Sequence, residues 1–289
     1  MRTLVLGATG SIGTAVTAEL ARHDFDLLAL ARSAASADVL AQQGLAVLRG
    51  DIREPEAWAA AVREVDAVVH MASTFATDMG AVDARLMTAL LREIEAASRP
   101  VRFIYTGGCW LFGETGERIA DETSPIDPIP AFRWMIDNAA MLDGATNVDA
   151  TIIHPAMVYH RDGGVLWRFL DGIRDHGRAD VWGGLDNRWP VVHRDDLAVL
   201  YRLALQAAAA GERYCAAAED GVRVGDMVAA LHARFGIVAE PRVRTAAAVM
   251  AEYGDWALGP TLDQRMSGAK AMRELDWTPR HRDILSEIG

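Results

Sequence analysis

The run Thr3-Leu4-Val5-Leu6 passes directly into Gly7-Ala8-Thr9-Gly10-Ser11-Ile12-Gly13 and then into an alanine-rich stretch of helical character. A buried strand that ends in glycines lets the backbone pass close to a pyrophosphate, and the following helix offers free N–H groups and a positive dipole end to it. Glycine spacing by itself is weak evidence; its place between strand and helix signals gives it meaning. The segment therefore predicts a dinucleotide cradle built from Gly7, Thr9, Gly10, Ser11, Ile12 and Gly13, at the carboxyl edge of an α/β sheet.

With 289 residues and 51% hydrophobic content, the chain has material for one large core with a smaller lobe. A net charge of −11 and the lack of a dense basic run speak against nucleic acid as a partner, because phosphate recognition needs clustered Lys and Arg. A small-molecule substrate is the expected partner. No apolar stretch reaches membrane-spanning length, and Met1-Arg2 leads straight into the first strand, so the expectation is a cytoplasmic protein with no membrane partner. Cys109 and Cys215 are too few for a disulfide framework or a zinc site and should be buried thiols; no metal site is expected.

Strand-length apolar runs recur at Thr3–Leu6, Asp26–Ala31, Ala46–Leu48, Ala67–His70, Val101–Tyr105 and Ala150–His154, with helical segments between most of them. This βαβ rhythm predicts a doubly wound parallel sheet, the Rossmann fold. The rhythm breaks after His154 into a segment rich in Gly and Trp, then resumes with Val191-Val192-His193 and a helix over Arg194–Ala209. The expected division is a nucleotide-binding core of residues 1–155 plus 191–215, and a smaller substrate-binding lobe of 156–190 plus 216–289. The second strand ends in Arg32-Ser33 rather than in the acid that receives the ribose hydroxyls of NAD, so NADP(H) is expected over NAD(H). Asp51-Ile52, after the third strand, would meet the adenine.

Taken in order, these segments resemble the extended or atypical short-chain dehydrogenase/reductase superfamily, including its NAD-dependent epimerase/dehydratase-like and NmrA-like branches. The further supports are His70-Met71-Ala72-Ser73, Tyr105-Thr106-Gly107-Gly108, His154-Pro155-Ala156-Met157-Val158-Tyr159, Val192-His193-Arg194-Asp195-Asp196-Leu197-Ala198, Asp263-Gln264 and Leu275-Asp276-Trp277-Thr278-Pro279. The resemblance implies that Met71, Ala72, Ser73, Tyr105, Asn138, Pro155, Met157 and Val158 join the glycine loop around the cofactor, and that two core helices form a homodimer. It also implies a tyrosine, a lysine four residues later and a Ser or Thr as the proton relay. No tyrosine here is followed at that spacing by lysine; Lys270 is the only lysine. The best match puts Trp134 at the tyrosine position and Asn138 at the lysine position, and puts Gly108 where the hydroxyl belongs. Thr106, two residues earlier on an extended strand, faces the same side as that position.

Three functions remain open. The first is an NADP(H)-dependent reductase or isomerase with a rewired acid/base drawn from Thr106, Trp134, Asn138, Tyr159 and His193, with His160 and Asp137 as further candidates. The others are a dinucleotide sensor of the NmrA-like kind and a sugar-nucleotide epimerase/dehydratase. Trp110, Trp134, Trp167, Trp182 and Trp189 in the candidate substrate region suggest an apolar or aromatic ligand, and Arg133, Arg161, Arg168 and Arg188 an anionic group on it.

Overall fold

The computed structural model describes residues 1–289. Its largest sheet uses β1 (Arg2–Leu6), β2 (Asp26–Ala31), β3 (Ala46–Arg49), β4 (Ala67–His70), β5 (Val101–Thr106) and β6 (Val148–Pro155), with β7 (Met157–His160), β8 (Gly163–Gly164), β9 (Asp180–Trp182) and β10 (Arg188–His193) in smaller sheets. The remaining strands are β11 (Glu212–Ala216), β12 (Glu219–Arg223) and β13 (Arg242–Arg244). The large sheet runs β11-β6-β5-β4-β1-β2-β3. Every pairing from β3 to β6 is parallel. The order β3-β2-β1-β4-β5-β6 is that of a doubly wound dinucleotide-binding sheet, so the expected fold class is found.

The helices are α1 (Ser11–Arg22), α2 (Ala34–Gln42), α3 (Met79–Glu95), α4 (Trp134–Asp143), α5 (Trp167–His176), α6 (Arg194–Ala207), α7 (Val224–Phe235), α8 (Ala246–Tyr253), α9 (Ala269–Glu274) and α10 (Ile284–Ile288). Helix α6 stops at Ala207 rather than at the expected Ala209, because the chain turns into Gly211 at φ +84° and its N–H pairs with Ala150 O. Helix α3 is amphipathic: Leu86, Leu90 and Ile94 recur at helical spacing, and all three pack with Leu4, Leu6, Val68 and Phe103 in one buried cluster. No helix is long and apolar enough to cross a membrane.

The chain forms two compact units: Met1–Gly107 with Trp134–Ile153 and Leu197–Tyr214, and Gly108–Arg133 with His154–Asp196 and Cys215–Gly289. In the second unit β10 pairs in parallel with β7 and antiparallel with β12. Both cysteines are buried and unbridged, as expected. Burial pushes the Cys109 thiol up to about 12, so it stays protonated at neutral pH.

Candidate functional site

The first unit holds the glycine turn. Gly7, at φ +88°, follows β1, and a Cβ there would stand 2.9 Å from Ala72 N; at Gly13 a Cβ would stand 1.9 Å from Gly7 O. Glycine is thus demanded at both positions by space, and at Gly7 by backbone conformation too. Gly10 N–H closes the turn on Gly7 O at 3.0 Å, and Gly10 caps α1 with no side-chain hydrogen bond. Thr9, Gly10 and Ser11 are exposed, and the uncapped first-turn N–H groups of α1 remain for an anion. Met71 and Ala72, half-buried, and the exposed Ser73 follow β4 in the same unit, so the turn packs against the end of β4 through the Gly7–Ala72 contact.

Arg32 and Ser33 follow β2 and are exposed. The Ser33 hydroxyl is already committed as the N-cap of α2, accepting from Ser36 N–H at 3.1 Å in a capping box. Sequence reading missed Arg49, which pairs with Ala31 in the β2–β3 register and donates to Ser33 O at 2.6 Å and to Arg32 O at 3.3 Å. Two exposed guanidinium-bearing residues thus end adjacent strands. The half-buried Asp51 accepts from Arg53 N–H at 2.9 Å, and its neighbour Ile52 is half-buried.

Asn138, expected at the relay's lysine position, meets His70 and Tyr105 on an acid that sequence reading passed over. Asp83, on α3, is 7% exposed. Its Oδ1 lies 2.7 Å from His70 Nε2, and its Oδ2 accepts from the Tyr105 hydroxyl at 2.9 Å and from Asn138 Nδ2 at 2.8 Å. His70 Nδ1 accepts from Ala72 N–H at 3.3 Å, so the ring proton sits on Nε2, facing the carboxylate. Burial alone would push the Asp83 carboxyl up; the His70 imidazole, with the His70, Asn138 and Tyr105 donors, outweighs it and holds the carboxyl below its usual range. The Tyr105 phenol moves the other way, raised by burial and by the Asp83 charge. Asn138 also donates to Gly80 O at 3.3 Å, and a Cβ at Gly80 would stand 2.7 Å from the half-buried Trp134 ring, so α3 and α4 approach closely there. Asp137, one residue before Asn138, is exposed. Thr106, half-buried at the end of β5, shares a 2.6 Å hydrogen bond with the hydroxyl of Tyr201, whose phenol burial keeps protonated.

The second unit holds the other candidates. Pro155 and Met157 are buried and Val158 half-buried along β6 and β7. Tyr159 is fully buried; burial and then the Glu287 charge raise its phenol, which donates to Glu287 Oε2 at 3.4 Å. The His193 ring stacks on His281, centroids 3.9 Å apart, and burial followed by the His281 charge lowers its imidazole. Burial also lowers the half-buried His160. His281 and Glu287 were not singled out by sequence reading, since nothing local marks them.

Two of the five tryptophans do not line a cleft. Trp189 is 2% exposed, stacks on Phe169 at 5.5 Å and donates to Pro260 O at 3.2 Å. Trp182, also 2% exposed, carries the Arg168 guanidinium over its ring at 4.1 Å. Arg168 is 6% exposed, and burial lowers it to about 10, so it is a core cation held on an aromatic face. Arg188 is tied to Asp263 at 2.8 Å and to Glu117 at 3.0 Å, while Arg133 and Arg161 are exposed.

A parallel sheet ordered β3-β2-β1-β4-β5-β6, with a glycine cradle directly after β1, defines a Rossmann-like α/β protein. The chain belongs to the NAD dependent epimerase/dehydratase family, whose model matches residues 3–217. It is 26% identical over 300 residues to the uncharacterized protein YLL056C of Saccharomyces cerevisiae, covering 100% of this chain and 98% of that one. Among solved structures it is similar to the human epimerase family protein SDR39U1 with NADPH, at TM-score 0.81 and 20% identity over 100% of this chain and 98% of that one. A UDP-glucose 4-epimerase of Thermotoga maritima with UDP-glucose also matches at TM-score 0.81, with 19% identity over 100% of this chain and 96% of that one.

Proposed function

We propose that the protein binds NADP(H) and acts as a reductase or isomerase on a small apolar substrate without a tyrosine–lysine relay. The observation that carries this reading is the cradle, where a Cβ at Gly7 or Gly13 would fill space that the backbone of a pyrophosphate-binding turn needs. The uncapped start of α1 holds the pyrophosphate, and Arg32 with Arg49 receives the 2′-phosphate, for which paired guanidinium groups are suited. Bound there, the nicotinamide supplies the hydride.

Asn138 takes the lysine's place as a neutral group, fixed by Asp83 and Gly80, and carries no charge to lower the pKa of a neighbouring phenol. Tyr201 is kept protonated, and when it donates across the 2.6 Å hydrogen bond it shares with Thr106, the Thr106 hydroxyl proton is left to orient a substrate oxygen or nitrogen. Such a neutral donor suits a conjugated C=C bond or an imine better than a plain carbonyl.

NADPH should bind more tightly than NADH in titrations followed by fluorescence. Arg32→Ala and Arg49→Ala should each weaken NADPH by roughly ten- to a hundredfold while sparing NADH, as expected for a lost charged hydrogen bond of about 1.5–3 kcal/mol. Equal affinity of the wild type for both would overturn the cofactor choice. Turnover of NADPH against enones, quinones and imines, followed at the nicotinamide absorbance, tests the reaction, and Thr106→Val should lower kcat by about a hundredfold with NADPH affinity retained. Unchanged turnover in that variant would remove Thr106 from the chemistry. Because Asp83 consumes donors of His70, Tyr105 and Asn138, tight NADPH binding with no turnover on any of these substrates would favour a dinucleotide sensor instead.

A further inference from the structure

We propose that His176, Arg178 and Arg242 form a binding site for a phosphate group, free or esterified to a small molecule, within the second unit. With Asp180 they line a cavity of about 330 Å³, at the lower end of the range for small-molecule sites. His176 is the last residue of α5, Arg178 follows in the connection to β9, and Arg242 opens β13, opposite Asp180 in the parallel β9–β13 register. The backbone beneath them is held from several sides. Arg242 N–H donates to Ala179 O at 2.8 Å, and Ala179 N–H donates to His232 Nε2 at 3.1 Å. A Cβ at Gly172 would stand 2.6 Å from Asp180 N, so the end of α5 lies hard against β9.

Arg178 and Arg242 are exposed and hold neither an ion pair nor a side-chain hydrogen bond. Their neighbours differ: Arg174 pairs with Asp171 at 2.7 Å and Asp175 at 2.8 Å, and Arg244 pairs with Glu252. Nor are the basic groups used to cap α5, because its last carbonyls accept from Gly177 N–H at 3.0 Å and Arg178 N–H at 3.4 Å. Two acids of this unit are engaged inside it. Asp196 accepts from Arg280 N–H at 3.0 Å and from His281 N–H at 2.8 Å. Asp180, the one acid of the lining, has its Oδ1 buried, while its Oδ2 accepts from Trp182 Nε1 at 3.2 Å and lies 3.6 Å from Arg244 Nη1. The buried Arg168 guanidinium attracts the same carboxylate, so its charge is offset from within. What faces the cavity is an excess of positive charge, in a chain whose net charge is −11. A carboxylate presents two oxygens in one plane and is saturated by a single guanidinium fork. A phosphate presents three or four in a tetrahedron, which suits two guanidinium groups and an imidazole that donates an N–H in either protonation state.

The full chain, titrated by calorimetry with inorganic phosphate and separately with glycerol phosphate, should show saturable binding that depends on this cavity. Arg178→Gln and Arg242→Gln should each weaken it by roughly ten- to a hundredfold, the loss of one charged hydrogen bond. Arg174→Gln, at the paired arginine of the same helix, and Arg32→Ala, at the glycine cradle, should leave that component unchanged. Both arginines of the site are exposed, so their variants should fold, which circular dichroism checks. Tighter binding of glycerol phosphate marks an ester as the ligand and equal binding marks the free ion; either supports the site. Succinate, a carboxylate probe, should bind at least roughly tenfold more weakly than phosphate. A wild type with no saturable phosphate binding, binding that folded Arg178→Gln and Arg242→Gln retain in full, or succinate bound as tightly as phosphate overturns the assignment.

Discussion

Gly13→Ala should abolish NADPH binding and lower the stability of the first unit by about 1–3 kcal/mol, at the upper end for overpacking. Alanine normally strengthens a helix by roughly 0.5–1 kcal/mol over glycine, so the sign depends on which effect is larger. The clash is the larger, because the new Cβ would stand 1.9 Å from Gly7 O and 2.8 Å from Gly7 C, and no rotamer can relieve a collision with backbone. The shift it forces is in the turn that would hold the pyrophosphate, so binding and stability fall together. Thermal unfolding and NADPH fluorescence measure the two losses. Gly108→Ala, where a Cβ would meet nothing within 4 Å, should leave the melting temperature near that of the wild type. A Gly13→Ala protein that binds NADPH normally would contradict the role given to the turn.

Asp83→Ala should cost more, about 3–5 kcal/mol. It leaves His70 Nε2–H, the Tyr105 hydroxyl and Asn138 Nδ2–H facing a void with their common acceptor gone, and each unsatisfied buried donor costs roughly 1–3 kcal/mol. The sum stays below the simple addition because the three share one acceptor and can relax together. Denaturant unfolding measures the loss, and a change under about 1 kcal/mol would mean that water satisfies the cluster. A pH dependence follows. The folded pKa of Asp83 is depressed, so the stability its charge supplies is complete above the unfolded aspartate value of about 3.9 and is lost as the pH falls through the lower folded value. The gap between the wild type and Asp83→Ala should therefore narrow in that acid range.

The backbone plan was legible because it is written in local signals. Glycines next to a strand, and apolar runs of strand length, set β1 to β6 to within a few residues at either end. The candidate site was legible only where the backbone itself makes a demand, as at Gly7 and Gly13, whose positions leave no room for a Cβ. Side-chain convergence was not. Asp83 and Asp137 are both single acids on helices; one is buried as a triple acceptor and the other is exposed, and nothing within a helical turn of either separates them. Asp83 meets His70, Tyr105 and Asn138 only once β4, β5, α3 and α4 have packed. Trp182 and Trp189 misled for a related reason: a wide aromatic ring fits a ligand wall and a small unit's core equally well, and here Phe169 and Arg168 had already claimed their faces. Arg49 escaped notice because strand register, not spacing along the chain, sets it beside Arg32.

The carboxylate of Asp196 has a consequence for how the second unit comes into being during synthesis. That unit is assembled from three stretches far apart in the chain, Gly108–Arg133, His154–Asp196 and Cys215–Gly289. Asp196 reaches its partners only when Arg280 and His281 have emerged, and its carbonyl likewise waits for the Trp277 indole. A ribosome-bound chain can close the β1–β5 ladder early, but must carry the apolar faces of its middle stretches unsealed until residues 277–281 arrive, which makes the time before they emerge the interval in which this chain most needs a chaperone.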